Sequence, residues 1–286
     1  MNHWEIALGL ATIAAAATGL VLPWLVGLHE RAGWVNSNYR GEEIPTGTGL
    51  LLLAGITAAW AWLGLLARLG VVPPTNAPVG AGATLIWSFA LLGFLDDVGG
   101  SGEHGGFSSH FRSLAQGRLT TGGLKALGGG LVAAYVALEV VPDWLGVVVG
   151  ALTLALGANF LNLLDLRPGR GIKGYLVLTF LGLVGSGFAP ETLVVAAAGI
   201  GASLAFLPGD LRGQIMLGDA GANLLGALAG FQFLTGGDRL LFFVAFTVLA
   251  GLNLLAEKVS FSRLIESSAL LSWLDRLGQG KQGGKE

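Results

Sequence analysis

The 286-residue sequence contains no cysteine and little charge, since Asp, Glu, Lys and Arg make up only 12% of it. Without cysteine the chain has no disulfides, thiolate metal sites or cysteine nucleophiles. The low charge excludes an ordinary soluble enzyme, in which about a quarter of the residues are charged. A formal net charge of -2 argues against nucleic acid as a partner. What the chain has instead is 53% hydrophobic residues and 48 glycines, a composition typical of helices packed closely in a bilayer.

Long stretches without charge predict the membrane spans, because each is close to or above the roughly 17 residues that a membrane helix needs. One weaker segment, Lys125 to Val141, adds a ninth span, with its two charged residues near its ends. The first stretch lacks the basic start of a cleaved signal peptide and is therefore kept as a span. The eight uncharged stretches lie between Glu5 and Glu30, Glu43 and Arg68, Arg68 and Asp96, Asp143 and Asp165, Lys173 and Glu191, Glu191 and Asp210, Asp219 and Asp238, and Arg239 and Glu257.

The distribution of Lys and Arg predicts the orientation of these spans. With the N-terminus outside, every basic residue except Arg68 and Arg239 falls on the cytosolic side, as the positive-inside rule requires. We therefore expect an all-α polytopic bundle of about nine transmembrane helices in the plasma membrane, with the C-terminus in the cytosol. Residues 1–261 form the membrane domain, and residues 262–286 form a cytosolic tail. Within the tail, residues 262–277 predict one amphipathic helix on the membrane surface and residues 278–286 a flexible end.

Acidic residues collect at the cytosolic ends of three spans. Asp96 and Asp97 end the third span, Asp165 ends the fifth and Asp219 opens the eighth between glycines. A single such residue is explained by a solvated helix end. Adjacent carboxylates near lipid are costly unless a cation offsets their charge, and a hard divalent cation is the simplest one. We expect magnesium, with manganese as the other suitable ion, to bind Asp219 first and Asp96 and Asp97 second.

Two amides approach the same end of the fifth span. Asn159, Asn162 and Asp165 are three residues apart, so consecutive members are neighbours on a helix surface and can point into one cleft. Their alternative role is to form hydrogen bonds between helices.

Basic residues follow directly in a short turn. Arg167, Arg170 and Lys173 surround a Pro-Gly pair and form a cationic loop suited to phosphate oxygens, although the positive-inside rule alone also accounts for them. Between the first two spans, Arg40 stands in a loop rich in glycine and hydroxyls that is a second candidate for phosphate binding.

Taken in order, these segments resemble the polyprenyl-phosphate N-acetylhexosamine-1-phosphate transferases, a family similar to the glycosyltransferase family 4 enzymes that includes the phospho-MurNAc-pentapeptide translocase. Two features depart from the family pattern: DLRPG stands where the family has DGxDG, and its histidine-rich loop has no counterpart. The segments that carry the resemblance are NYRGEEIPTGTG, FLDDVGG, GLKALGG, NFLNLLD, GDAGAN and AEKVSFSR.

The resemblance implies a magnesium-dependent transferase of cell wall biogenesis. A polyprenyl phosphate such as undecaprenyl phosphate would attack the sugar-linked phosphate of a UDP-sugar and release UMP, within membrane lipid and with a homodimer as one mode of assembly. The implied catalytic residues are Asp96, Asp97, Lys125 and Asp165. The substrate-binding set is Arg40, Asn159, Asn162, Arg167, Arg170 and Lys173. Two alternatives remain: a catalytically silent homologue that acts as a scaffold or binds lipid, and an ion-coupled transporter.

Overall fold

The computed structural model describes residues 2–38, 40–99, 121–236 and 238–279, which form a helical bundle of nine long and two short helices. Asn2 caps the first helix in a capping box with Glu5, and Gly33 ends it in the left-handed conformation. The helices are α1 (His3–Ala32), α2 (Leu51–Arg68), α3 (Val79–Gly99), α4 (Thr121–Val140), α5 (Trp144–Leu164), α6 (Arg170–Gly185), α7 (Pro190–Leu211), α8 (Gly218–Thr235), α9 (Arg239–Ala256), α10 (Phe261–Ser267) and α11 (Ala269–Arg276).

Seven of the long helices, all except α6 and α8, are long and apolar enough to cross a membrane. Large apolar side chains face outward on these helices, as on Trp24 of α1, which is 78% exposed, and Leu131 of α4, which is 73% exposed. Such surfaces require lipid as their solvent. The predicted all-α polytopic bundle is thereby confirmed as a helical membrane protein, and each predicted apolar segment holds one long helix.

Helix α8 forms the centre of the bundle, since all of its residues from Ala220 to Phe233 are buried. Glycine makes this burial possible, because the backbones of Gly226 in α8 and Gly157 in α5 approach so closely that a Cβ on either would collide with the other helix. Gly93 of α3 packs in the same way against the backbone of Asp219. Small residues therefore fix the position of α8 and of Asp219 near its start.

A small hairpin closes the end of the bundle at which α8 begins. Strands β1 (Val35–Ser37) and β2 (Glu43–Pro45) are antiparallel, with Asn36 opposite Ile44. A 3-10 turn over Thr48–Leu50 follows, and the Thr48 hydroxyl donates to the carbonyl oxygen of Met216 at 2.7 Å. The Gly49 N–H donates to the carbonyl of Leu217 at 3.1 Å. These bonds attach the first loop to the segment that leads into α8.

The prediction of one amphipathic helix over residues 262–277 is wrong, because the tail forms the two short helices α10 and α11. The chain is extended at Ser268, with φ of -104° and ψ of 120°, and the Ser268 hydroxyl accepts a hydrogen bond from the Leu271 N–H at 3.4 Å. A serine that caps the second helix ends the first one. The predicted flexible end falls largely on residues 280–286, which lie outside the described residues.

Candidate functional site

The centre of the candidate site is a lysine held between two carboxylates from different helices. Lys125 Nζ lies 2.9 Å from Asp96 Oδ2 and also forms an ion pair with Asp219 Oδ2. The three side chains come from the end of α3 and the starts of α4 and α8. We call them the lysine cluster. Their side chains are between 21% and 27% exposed, so a molecule at the bundle end can reach them.

Asp97, next to Asp96, points to the start of α8. Its Oδ1 accepts the N–H of Asp219 and its Oδ2 accepts the N–H of Ala220, both at 2.9 Å. A carboxylate placed there satisfies two of the unpaired donors of the helix start and stabilises its positive end. Asp97 thus holds Asp219 in place, and its predicted roles as a metal ligand and a catalytic group stay predictions.

Asp165 reaches the same region from the end of α5. The Gly218 N–H lies near its carboxyl group and favours the charged form, and a Cβ on Gly171 would lie 2.8 Å from its Oδ1. Burial raises the pKa of Asp165 well above its ordinary value, and the neighbouring carboxylates of Asp210, Asp97 and Asp219 raise it further.

Asn159 is engaged in a contact between helices. Its Nδ2 donates to Oδ1 of Asn253 in α9 at 2.6 Å, and Asn253 Nδ2 donates to the carbonyl oxygens of Leu156 and Leu249. This is the interhelical role that the sequence left open. Asn162, one turn nearer the lysine cluster, is half-buried. The expectation that both amides line one cleft stays a prediction.

Arg170 and Lys173 bind the tail of the chain. Arg170 is 5% exposed and forms a bidentate pair with Asp275, from Nε to Oδ1 at 2.9 Å and from Nη2 to Oδ2 at 2.8 Å. Its Nη1 donates to the hydroxyl of Ser262 at 2.9 Å. Lys173 Nζ donates to the carbonyl oxygens of Leu274 and Asp275 at 3.1 and 2.5 Å. We call this group the tail contact.

These contacts do not support the expected phosphate clamp, because the Arg170 side chain is buried against protein partners. Arg167, in the turn before α6, is exposed and adds to the positive field that acts on Asp275. Arg40 has an exposed side chain in the turn of the hairpin, where its N–H donates to Asn38 Oδ1 at 2.8 Å.

The sequence analysis missed Asp210, Asn253 and Asp275 as partners in this region. Asp210 is 4% exposed at the end of α7, and its Oδ2 accepts the Gly169 N–H at 3.0 Å. It ends a predicted span as Asp165 does, so the same criterion would have found it. Asp275 and Asn253 carry no comparable local signal, since their partners lie far away in the sequence.

The donor set fits a divalent cation. Within the described ranges no three Asp, Glu or His side chains form a ready-made metal site. Asp96 and Asp219 instead converge on one positive charge, the Lys125 ammonium group. Magnesium is commonly held by one or two carboxylates, with waters and substrate phosphates as the remaining ligands, so Asp96 and Asp219 are the side chains of this cluster that could hold it.

No protein-family model matches the chain, and a search of the curated proteins gives no match.

Proposed function

We propose that this protein transfers a sugar-1-phosphate from a UDP-sugar, a UDP-N-acetylhexosamine in particular, to a polyprenyl phosphate and releases UMP. The observation that carries the proposal is the lysine cluster, in which a cation stands between the carboxylates of Asp96 and Asp219 at one end of a membrane bundle. Joining two phosphate compounds beside lipid requires positive charge and metal ligands more than a strong base. The resemblance of the surrounding motifs to the phosphosugar transferases supports the same reaction.

The proposal includes the placement of the site in the membrane. We propose nine spans in the plasma membrane, with the N-terminus outside and the lysine cluster at the cytosolic face. The nine long helices and the distribution of Lys and Arg support this arrangement. A soluble nucleotide sugar would then meet a lipid phosphate at the boundary where α3 ends and α8 begins.

The chain's own residues bind and orient the reactants. Lys125 binds the acceptor phosphate, which is already an anion near neutral pH because its second pKa is about 6. Asp97 accepts the N–H groups of Asp219 and Ala220 and thereby fixes the start of α8, which keeps the Asp219 side chain in position beside Lys125. Asp165 lies beside the Gly218 N–H, in front of Asp219, and so faces the turn that leads into α8.

Asp96 and Asp219 are the residues that would hold magnesium. When bound there, the ion would neutralise charge on the phosphate oxygens. With the ion there, Lys125 would be available to pair with the acceptor phosphate instead of the two carboxylates.

The test is an assay of purified protein in lipid nanodiscs with undecaprenyl phosphate, magnesium and a panel of UDP-sugars. We expect UMP release that depends on both the lipid and magnesium. Asp143→Asn is the matched control, because Asp143 pairs with Arg239 on the surface, away from the lysine cluster. Absence of UMP with every donor, from protein that still binds polyprenyl phosphate, would favour the silent homologue.

A further inference from the structure

The first turn of α6, residues 169–173, lies between Asp165 and the tail. On one side Gly171 packs so closely against Asp165 that an added Cβ would lie 2.8 Å from Oδ1. On the other side Arg170 and Lys173 bind the tail. A movement of this turn therefore changes the space available to the Asp165 side chain.

The tail binds this turn through several polar contacts. Arg170 donates to Asp275 through two nitrogens and to Ser262 through a third, from a position that is 95% shielded from solvent. Lys173 donates to two carbonyl oxygens at the end of α11. Gln279 Nε2 donates to the carbonyl of Pro168 at 3.1 Å. A buried bidentate pair with these supporting bonds fixes a geometry rather than simply attracting two surfaces.

Residues at the end of α7 also contact the first turn of α6. Asp210 Oδ2 accepts the Gly169 N–H at 3.0 Å. Leu211 packs against both Gly169 and Gly278. Both glycines adopt the left-handed backbone conformation, with φ of 76° and 77°. A residue with a side chain at either position would have a strained backbone conformation and would collide with Leu211. The first turn of α6 and the end of the tail thus both pack against Leu211.

We propose that the tail, residues 261–279, is a strap that positions Asp165 through the first turn of α6, with Arg170 and Asp275 as positioning residues. The inference rests on the proposed function where it concerns turnover. It extends that function, because it makes a segment outside the membrane helices necessary for the geometry at Asp219. The connection runs from Asp275 to Arg170, from the α6 turn to Asp165, and from Asp165 to the Gly218 N–H.

Hydrogen exchange at Gly218 tests the strap without any substrate. Asp275→Asn removes the charge that Arg170 requires, so we expect the peptide containing Gly218 to exchange about tenfold faster, with peptides of α5 and α9 unchanged. Glu266→Gln is the matched control on the exposed side of the tail and should leave Gly218 unaffected. Asp275→Glu restores the carboxylate and should recover most of the protection. Unchanged exchange at Gly218 in Asp275→Asn would overturn the proposal.

A second variant covers the case in which Asp275→Asn does not fold. Ser262→Ala removes one hydrogen bond to Arg170, and we expect about threefold faster exchange at Gly218. No acceleration in that variant would also count against the strap.

Turnover measurements distinguish a tail that positions Asp165 from a tail that only binds the first turn of α6. In Asp275→Asn we expect kcat to fall about tenfold while the donor KM stays within about twofold, since a displaced group costs rate more than binding. Faster exchange at Gly218 with unchanged kcat would overturn the positioning role. A wild-type protein that releases no UMP would overturn the proposed function alone, because exchange at Gly218 still decides whether the strap exists.

Discussion

The lysine cluster and the tail contact both place basic side chains beside aspartate at the same end of the bundle, but their charges are matched differently. In the lysine cluster one cation serves two carboxylates, Asp96 and Asp219, and all three groups are partly exposed. In the tail contact the single carboxylate of Asp275 pairs with Arg170, whose bonding the Ser262 hydroxyl completes, while Lys173 binds backbone carbonyl oxygens. Excess negative charge that is open to solvent can accept another cation, whereas a satisfied buried pair cannot.

A basic residue near a proposed phosphate site has to be judged by its partners. Lys125 is partly exposed and pairs with two carboxylates that are partly exposed as well. Arg170 is fixed by a planar bidentate pair and by burial, so it stabilises structure.

Asp219→Asn should have the strongest consequence, because it removes one of the two carboxylates of the lysine cluster. The amide keeps the size of the side chain and removes the charge that a hard cation requires, so turnover should fall by about a thousandfold or more. UMP release measured across a magnesium titration checks this. Full activity at limiting magnesium, beside an unaffected Asp143→Asn control, would remove Asp219 from the metal site.

Lys125→Ala should lower turnover by about a hundredfold, because the acceptor phosphate loses its counter-charge. The same variant should need less magnesium for half-maximal activity, since the competing ammonium group between Asp96 and Asp219 is gone. Measuring kcat and the magnesium midpoint together distinguishes the two effects. A midpoint that rises instead would mean that Lys125 supports metal binding and does not compete with it.

Arg170→Lys should weaken the fold and leave donor binding unchanged. Lysine cannot make the bidentate pair with Asp275, so we expect a loss of about 1–3 kcal/mol of stability and a donor KM within about twofold of wild type. Thermal unfolding in nanodiscs and steady-state kinetics measure the two quantities. A donor KM raised tenfold with stability intact would restore the phosphate clamp inferred from the sequence.

The weakest consequence that we expect is the pH dependence of folding stability that comes from Asp165. Because its pKa is raised in the folded protein, the folded state holds a proton that the unfolded state releases above about pH 4. Stability is therefore lost as pH rises from there through the folded pKa. Asp165→Asn should flatten this decline when unfolding is followed between pH 5 and 8 in chelator. A parallel decline in both proteins would assign the pH dependence elsewhere.

Local sequence patterns were sufficient for the helices and for part of the site. Gaps between charges located eight of the nine long helices in the described residues, since a charged side chain within lipid is costly. The ninth, α4, came from an apolar segment with Lys125 and Glu139 near its ends. The rule that acidic residues end spans at one face brought Asp96 and Asp219 together with Lys125, because neighbouring helix ends meet at one surface.

The remaining contacts depend on residues far apart in the chain. Arg170 meets Asp275 across 105 positions, and Asn159 meets Asn253 across 94. No local pattern encodes such a pairing, so a basic turn after a membrane helix looks the same whether it binds a phosphate or a tail. The break at Ser268 was missed for another reason: the apolar periodicity continues through it, while the cap that stops α10 is a single hydroxyl.

The contact between Gly157 and Gly226 fixes the position of α8 along the axis of the bundle. Gly226 and Asp219 are seven residues apart, which is two helical turns or roughly 10 Å along α8, and lie on similar sides of the helix. The position of Asp219 along the bundle axis is thus set by the contact between two helix backbones and not by side chains at the lipid surface. Bilayers of different thickness should tilt the outer helices α1 and α9 while the carboxylate keeps its level relative to its neighbours.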